Sequence, residues 1–547
     1  MKRTNILISI GLIICILIMI GVFPVYAEDS FDYYVCGALL DDIEAVSDSN
    51  CNNFPCNYNT ILPATVDLST SDSFPPVGDQ GYLGSCSAWA TTYYQFGYQV
   101  ATMNNWDAKN DLNKCFSPKW TYNLTNGSFD DGSNFSDIYN ILSKQGAVRY
   151  TELTPNGYST AFTEFREWCT DIDSLREALK YRLVEYKKYT FNDLNSNTPI
   201  SSYNSIELVP MKSLLNSGFV LTLISNFDIL DYRILSSEDG SSHVGEKVCI
   251  KQQDDLLNNG CHALAIVGYD DTIQYDLNED GIIQNFEKGA FKIVNSYGTQ
   301  YGNQGFMWVM YDALNSVSNV DEQNSDTRIP FIYSDYYYVI VVDRYSLDLT
   351  TEVTITVPRR NQVKLDLCLS SVNSVEPQQG PYSTLFSFKG GDYNFSGVPR
   401  TTQTATFPFD YATIVMHPAP WKNYYLQIRD SGFYTDYVII DKIEFIDGSG
   451  KCVVSDTEEK SIVDRMAEFR YRIGMVGDVN NSGSVTALDA TAIQQHLTKT
   501  VLLSDDALVL ADVNADGRVS STDAAYIQRV LAHIDDGFAN GIYASLD

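Results

Sequence analysis

One pattern occurs twice near the C-terminal end of the chain and constrains it more than any other feature. GDVNNSGSVTALDATAIQQHL, beginning at Gly477, aligns with ADVNADGRVSSTDAAYIQRVL, beginning at Ala511, at an offset of 34 residues. In the first copy Asp478, Asn480 and Ser482 take the first, third and fifth places of a twelve-residue loop, Gly483 the sixth and Asp489 the twelfth. Asp512, Asn514, Asp516, Gly517 and Asp523 repeat the arrangement. Alternating oxygen donors, a sharp glycine turn and a closing carboxylate are what a calcium ion selects, with a backbone carbonyl (here of Ser484 or Arg518) at the seventh place. Each loop closes on Asp rather than a bidentate Glu, and each leads into a single helix pattern. Two repeats are few for a solenoid, so a compact two-fold module is expected.

A third loop of the same grammar lies far upstream. Asp276, Asn278 and Asp280 hold the odd places, Gly281 the sixth, the carbonyl of Ile282 the seventh and Glu287 the twelfth. The spacing predicts a third calcium site; an ordinary acidic turn is the alternative reading. The loop joins two apolar strand patterns, CHALAIVGYDD and AFKIVNS. A bound cation would relieve repulsion among Asp276, Glu279, Asp280 and Glu287 and hold those strands in register.

The same strand patterns carry candidates for chemistry. In Asp79-Gln80-Gly81-Tyr82-Leu83-Gly84-Ser85-Cys86 a cysteine opens the helical pattern 85–100. Backbone N–H groups and the helix dipole favour a thiolate there. His262 begins the first apolar strand and Asn295 follows the second. A thiolate, an imidazole and an amide oxygen that orients the imidazole make up an activated nucleophile and its acid/base.

In these motifs the chain resembles the papain and cathepsin family of cysteine peptidases, over about residues 62–314. The resemblance implies a two-lobed α+β peptidase acting on protein or peptide substrates, with Cys86 as nucleophile and His262 as acid/base. Asn295 would hold the imidazole, and Gln80 would join the Cys86 N–H in stabilising an oxyanion. Several positions depart from the family. Leu83 stands where a cysteine normally forms a disulfide, and Ser87 where a tryptophan is usual. Tyr297 replaces the tryptophan that shields the Asn–His hydrogen bond, so a wetter bond is expected. Asp131-Gly132-Ser133 matches only loosely the segment that binds substrate backbone. A catalytically inactive papain fold used as a binding module is the alternative.

The paired loops at the end resemble a type I dockerin over about residues 474–536. That resemblance implies two bound calcium ions and a cohesin partner on a scaffolding protein of a cellulosome-like assembly. Cohesin contacts would fall at the tenth and eleventh loop places, Ala487 and Leu488 in one copy, Ser521 and Thr522 in the other. The two pairs differ, so equivalent binding orientations are not expected.

Composition supports several domains: 547 residues exceed one ordinary core. The expected order is a signal peptide at 1–27, a short polar leader at 28–60, the peptidase at 61–330 and an antiparallel β-sandwich at 336–450. A linker at 451–473 and a small α-helical dockerin at 474–537 follow. The sandwich rests on short alternating runs such as YYYVIVVD, EVTITVP, VKLDLCL and ATIVMH. A net charge of -32 argues against a nucleic-acid partner. Lys2 and Arg3 before an apolar run, and Val25-Tyr26-Ala27 after it, predict export; an uncleaved segment would instead anchor the chain in the membrane. Eleven cysteines leave the pairing undetermined, Cys36, Cys51 and Cys56 being close enough to include one disulfide.

Overall fold

The computed structural model describes Ala38 and residues 61–153, 164–190, 199–226, 230–252, 261–314, 331–341, 349–371, 374, 376–387, 390–411, 422–430, 436–463, 465–535 and 543–546. The signal segment, Cys36, Cys51, Cys56 and the ATIVMH run lie outside the described residues. Among those described, no helix is long and apolar enough to cross a membrane.

The first folded part has a helical side and a sheet side. A continuous helical run is built from Cys86–Ala88, Trp89–Phe96 and Gly97–Met103. Its middle stretch has the wider π geometry, and all eight of that stretch's residues are buried. Such a local widening recurs at functional sites. Two helices, Pro118–Thr125 and Phe135–Gln145, complete the helical side. Pro118 occupies the first turn, where its missing N–H costs nothing, and Asn134 caps the second helix by accepting the Asp137 N–H.

Against the long helix lies a nine-stranded sheet. Its strands are β1 (Thr65–Asp67), β2 (Leu183–Thr190), β3 (Leu221–Asn226), β4 (Leu230–Ile234), β5 (Lys247–Gln252), β6 (Cys261–Gln274), β7 (Lys288–Val294), β8 (Phe306–Met310) and β9 (Ile332–Val341). The order is β2-β9-β3-β6-β7-β8-β5-β4, with β1 paired to the far half of β6. Every residue from His262 to Asp270 in β6 is buried. The long helix covers one face of this strand and Val209–Asn216 packs against the other, which explains an apolar run without alternation.

The strand pattern at YYYVIVVD belongs here and not to the sandwich. β9 is inserted between β2 and β3, so its register pairs Tyr337 with both Lys188 and Thr222. Sequence alternation identified the strand; only long-range pairing selected its sheet.

The sandwich has two five-stranded antiparallel sheets. One contains β10 (Leu349–Val357), β13 (Gln403–Asp410), β15 (Val438–Asp447), β16 (Cys452–Asp456) and β17 (Lys460–Ile462). The other contains β11 (Val363–Ser371), β12 (Gln379–Ser383), β14 (Lys422–Asp430), β18 (Met466–Met475) and β19 (Tyr543–Leu546). The stretch expected as a linker is thus three strands. β18 is the clearest case: Phe469 and Ile473 join the core while Glu468 and Arg470 point outward, the alternation of a half-buried strand.

The sandwich shares a core with the helical side. Trp168 meets Phe386, Phe395 and Phe407, and the Arg360 guanidinium lies 4.6 Å from the Trp168 ring centre. Arg182 and Asp410 form a fully buried ion pair across the same boundary, and the more open Arg176–Glu352 pair lies beside it.

The final module packs Ala487–Leu497 against Ser521–Leu531 through Ala490, Ile493, Ala524 and Ile527. These are equivalent places in the two repeats, as a two-fold core requires. β18 runs directly into its first loop, β19 returns to pair with β18, and Arg472 forms an ion pair with Asp506.

Candidate active site

Cys86, His262 and Asn295 come from three distant parts of the chain. The turn 78–80 is tied to residues 296–298: the Gly298 N–H donates to the Gly78 carbonyl at 2.9 Å, and the Gln80 N–H to the Ser296 carbonyl at 2.8 Å. Glycine is needed at 78 because an added Cβ would fall 1.9 Å from the Trp89 ring. The pairing brings the start of the helix that opens at Cys86 to the end of β7. β6 lies beside β7 with Ala265 opposite Val294, so His262 and Asn295 meet where the two strands end.

The imidazole is held from one side by Asn295, whose Oδ1 lies 2.8 Å from His262 Nε2. The same oxygen accepts the Ser296 N–H at 2.7 Å, which fixes the amide so that oxygen faces the ring. Tyr94 donates its hydroxyl to the Asn295 carbonyl at 3.0 Å and anchors the backbone there. Burial pushes the His262 pKa down to about 4 despite the Asn295 hydrogen bond, which works the other way. Burial thus favours the uncharged imidazole, the form that can accept a proton.

Gln80 is fully buried. Its Nε2 donates to the Leu83 carbonyl at 2.8 Å, and its Oε1 accepts the Ser296 hydroxyl at 2.5 Å. These contacts orient the amide at the turn that leads to Cys86. Asp130 braces the turn from the other side by accepting the Gly84 N–H at 3.0 Å. Sequence reasoning missed Tyr94, Asp130 and Ser296. Ser296 is marked only by adjacency to Asn295, and the other two carry no local signal.

The expectation of a wetter Asn–His bond is corrected by the packing. Tyr297 is 4% exposed, and its ring centre lies 4.7 Å from that of His262. With His262 and Asn295 also buried, the hydrogen bond is dry. Tyrosine covers it as a larger ring would.

Ala38 also enters the site. Its N–H donates to the Cys261 carbonyl at 3.2 Å, one residue before His262, and it bridges to Ser133 in parallel fashion. Ser133 in turn accepts the Ser87 hydroxyl at 2.8 Å, one residue after Cys86. The backbone of Ala38 thus spans the gap between the two sides of the site.

The three acidic loops share one conformation. In the first terminal loop Asp478 Oδ2 accepts the Gly483 N–H at 2.8 Å, and Asn480 Oδ1 accepts the Ser482 N–H at 3.0 Å. In the second, Asp512 takes Gly517 at 2.8 Å and Asn514 takes Asp516 at 2.9 Å. In the internal loop Asp276 takes Gly281 at 2.7 Å and Asn278 takes Asp280 at 3.0 Å. The fourth residue of each (Asn481, Ala515, Glu279) has φ of 58°, 56° and 58°, and the sixth is a left-handed glycine. Asp489, Asp523 and Glu287 close their loops through backbone N–H groups at both ends, and all three are buried. These oxygen sets suit a hard cation. Among the described residues no group of three or more His, Cys, Asp or Glu side chains is gathered for a metal. Calcium would therefore draw on Asn480, Ser482, Asn514 and Asn278 and on the carbonyls of Ser484, Arg518 and Ile282 as well as on carboxylates.

Residues 476–532 match the model of the dockerin type I domain. The chain carries a dockerin. In it Ala487, Leu488, Ser521 and Thr522, the four expected cohesin contacts, are all exposed at the starts of their helices. No curated protein sequence matches the chain. Its structure is similar to that of xylellain, a cysteine protease from Xylella fastidiosa, at 19% identity and a TM-score of 0.34, covering 55% of this chain and 94% of that one. It is also similar to procathepsin L2 from the larval midgut of Tenebrio molitor, at 16% identity and a TM-score of 0.35, covering 57% and 80%. A third similar structure is bromelain from Ananas comosus in complex with the E64 inhibitor, at 14% identity and 0.31, covering 51% and 99%.

Proposed function

We propose that the chain is a secreted cysteine endopeptidase with Cys86 as nucleophile, docked to a cohesin-bearing scaffold by its dockerin. The observation that carries the catalytic reading is the His262–Asn295 hydrogen bond, buried beside the turn that holds Gln80 and Cys86. A neutral imidazole with one nitrogen engaged by an amide oxygen leaves the other to take a thiol proton. The thiolate then attacks the peptide carbonyl. Gln80 and the Cys86 N–H offer hydrogen bonds to the developing oxyanion, and His262 returns the proton to the leaving amine. Hydrolysis of an unstructured protein, lost when an alkylator labels Cys86, tests this reading. No hydrolysis at all would leave the inactive binding module as the better account, and hydrolysis retained after full labelling would remove Cys86 as the nucleophile.

Cohesin binding by the full chain is expected to need calcium and to be lost in chelator. Ser521→Ala/Thr522→Ala should weaken it more than Leu488→Ala, since hydroxyls donate and accept hydrogen bonds that Leu cannot. Equal losses from the two helices, in titration calorimetry, would sink the asymmetry.

A third calcium ion in the 276–287 loop is part of the proposal, supported by that loop's likeness to the dockerin loops. The loop closes the β6–β7 hairpin at the end away from His262, about 40 Å off if the strand were fully extended. Two register shifts separate them, between Ile266 and Gly268 and between Asp270 and Gln274. The ion should therefore raise stability with little effect on turnover. Linkage contributes about 2.7 kcal/mol when free calcium is about a hundred times the dissociation constant. The test uses the full chain with Asp478→Ala and Asp512→Ala, which remove the dockerin's response. Calcium should still raise its Tm, and Asp276→Ala/Asp280→Ala should abolish the rise. A Tm indifferent to calcium makes the loop an acidic turn.

A further inference from the structure

Tyr297 touches the atom on which the proton transfer turns. Its hydroxyl lies 3.3 Å from His262 Nδ1, while Nε2 faces Asn295 Oδ1. An amide oxygen can only accept, so Nε2 carries the hydrogen in the neutral ring and the lone pair is on Nδ1. Nδ1 is then the atom that must receive the Cys86 proton. A phenol facing a lone pair donates to it.

We propose that Tyr297 is a positioning residue that donates its hydroxyl to His262 Nδ1, so that the phenol and the Cys86 thiol compete for one proton-accepting nitrogen. The proposal rests on the peptidase reading and adds to it a group that sets how much thiolate the resting enzyme holds. In the activating step the S–H bond of Cys86 breaks and an N–H bond forms at Nδ1, leaving thiolate and imidazolium. The phenol loses its acceptor in that step and keeps its own proton. A hydrogen bond made to the neutral ring disfavours the charged one, which is the direction in which burial already moves His262.

The phenol is built into its place. Asp79 bridges to Tyr297 through the backbone, and Tyr301 meets the Tyr297 ring edge-on at 5.6 Å. The Tyr301 hydroxyl lies 2.9 Å from that of Tyr232, which extends the cluster toward β4. Continuing the β6–β7 register past Val294 also sets 297 opposite 262. The titratable groups on this side of the imidazole are thus Tyr297 and, behind it, Tyr301, Tyr232 and Cys249, with Cys86 facing the ring in the peptidase reading.

The test is Tyr297→Phe in the full chain, which keeps the ring and removes one oxygen. The readout is the ultraviolet thiolate band of Cys86, defined as what Cys86→Ala removes, followed through the neutral pH range. Losing one net hydrogen bond to the neutral form should raise the thiolate fraction about three- to tenfold. A role in packing alone would leave it unmoved, because Phe fills the same space. An unchanged or smaller thiolate fraction overturns the proposal while the peptidase reading stands. A chain without a thiolate band in either form, and without hydrolysis, removes the peptidase reading and this proposal with it. Should Tyr297→Phe not fold, nitrogen NMR of His262 in the unaltered chain decides: a hydrogen-bonded, unprotonated Nδ1 supports the proposal, and a protonated or unbonded Nδ1 overturns it.

Discussion

Cys86→Ala and His262→Ala will each abolish peptide hydrolysis, by a factor on the order of 10⁴ or more, with little change in Tm. The size follows from the unity of the pair: without the thiol there is no nucleophile, and without the imidazole the thiol keeps its proton. Removing either member of such a pair costs nearly as much as removing the whole set. Asn295→Ala should cost less. The imidazole loses its Nε2 partner but is still packed under Tyr297, so part of its orientation survives. Steady-state rates on a quenched peptide, with Tm measured in parallel, check all three. Near-full activity in Cys86→Ala would place the chemistry elsewhere.

A chain ending at residue 330 will not fold, although the peptidase motifs all precede that point. The cut removes β9, which is hydrogen-bonded to β2 on one side and β3 on the other. It takes Ile332, Tyr336, Tyr337, Tyr338 and Val339, all buried, from between β2 and β3. It also strips the sandwich from Trp168 and leaves Arg182 without Asp410. Each fully buried large side chain contributes about 1.5–3 kcal/mol, and breaking a buried ion pair costs about 3–5 kcal/mol. Together these come to about 10–20 kcal/mol, as large as the roughly 5–15 kcal/mol by which a domain is stable. Cooperative thermal unfolding should be absent from the shortened chain and present in the full one. A sharp transition in the shortened chain would show that the sandwich is dispensable.

The shared conformation of the three acidic loops was legible because it is local. Twelve consecutive residues supply nearly every oxygen, and the backbone turn depends on a glycine at one place, so spacing alone carries the information. The same holds for the helix that begins at Cys86, whose start is set by a short glycine-rich turn. β6 and β7 were legible as apolar runs. Their role as a pair carrying His262 and Asn295 was read from motifs that matched a family in order.

What sequence could not decide was every relation that depends on partners far along the chain. YYYVIVVD alternates as a strand of either sheet would, and its place between β2 and β3 was settled by hydrogen bonds to residues near 188 and 222. The polar residues of 451–473 suggested a linker because one face of an edge sheet is solvated; the tertiary structure shows the buried face. Tyr297 looked like the loss of a shield, since a sequence lists a ring without its neighbours, and packing against His262 made it a cover with a hydroxyl on Nδ1. Residue order determined which groups this protein possesses and which loops have oxygens at the right intervals. Only the folded chain, by bringing backbone partners and buried faces together over long separations, decided which of those groups meet.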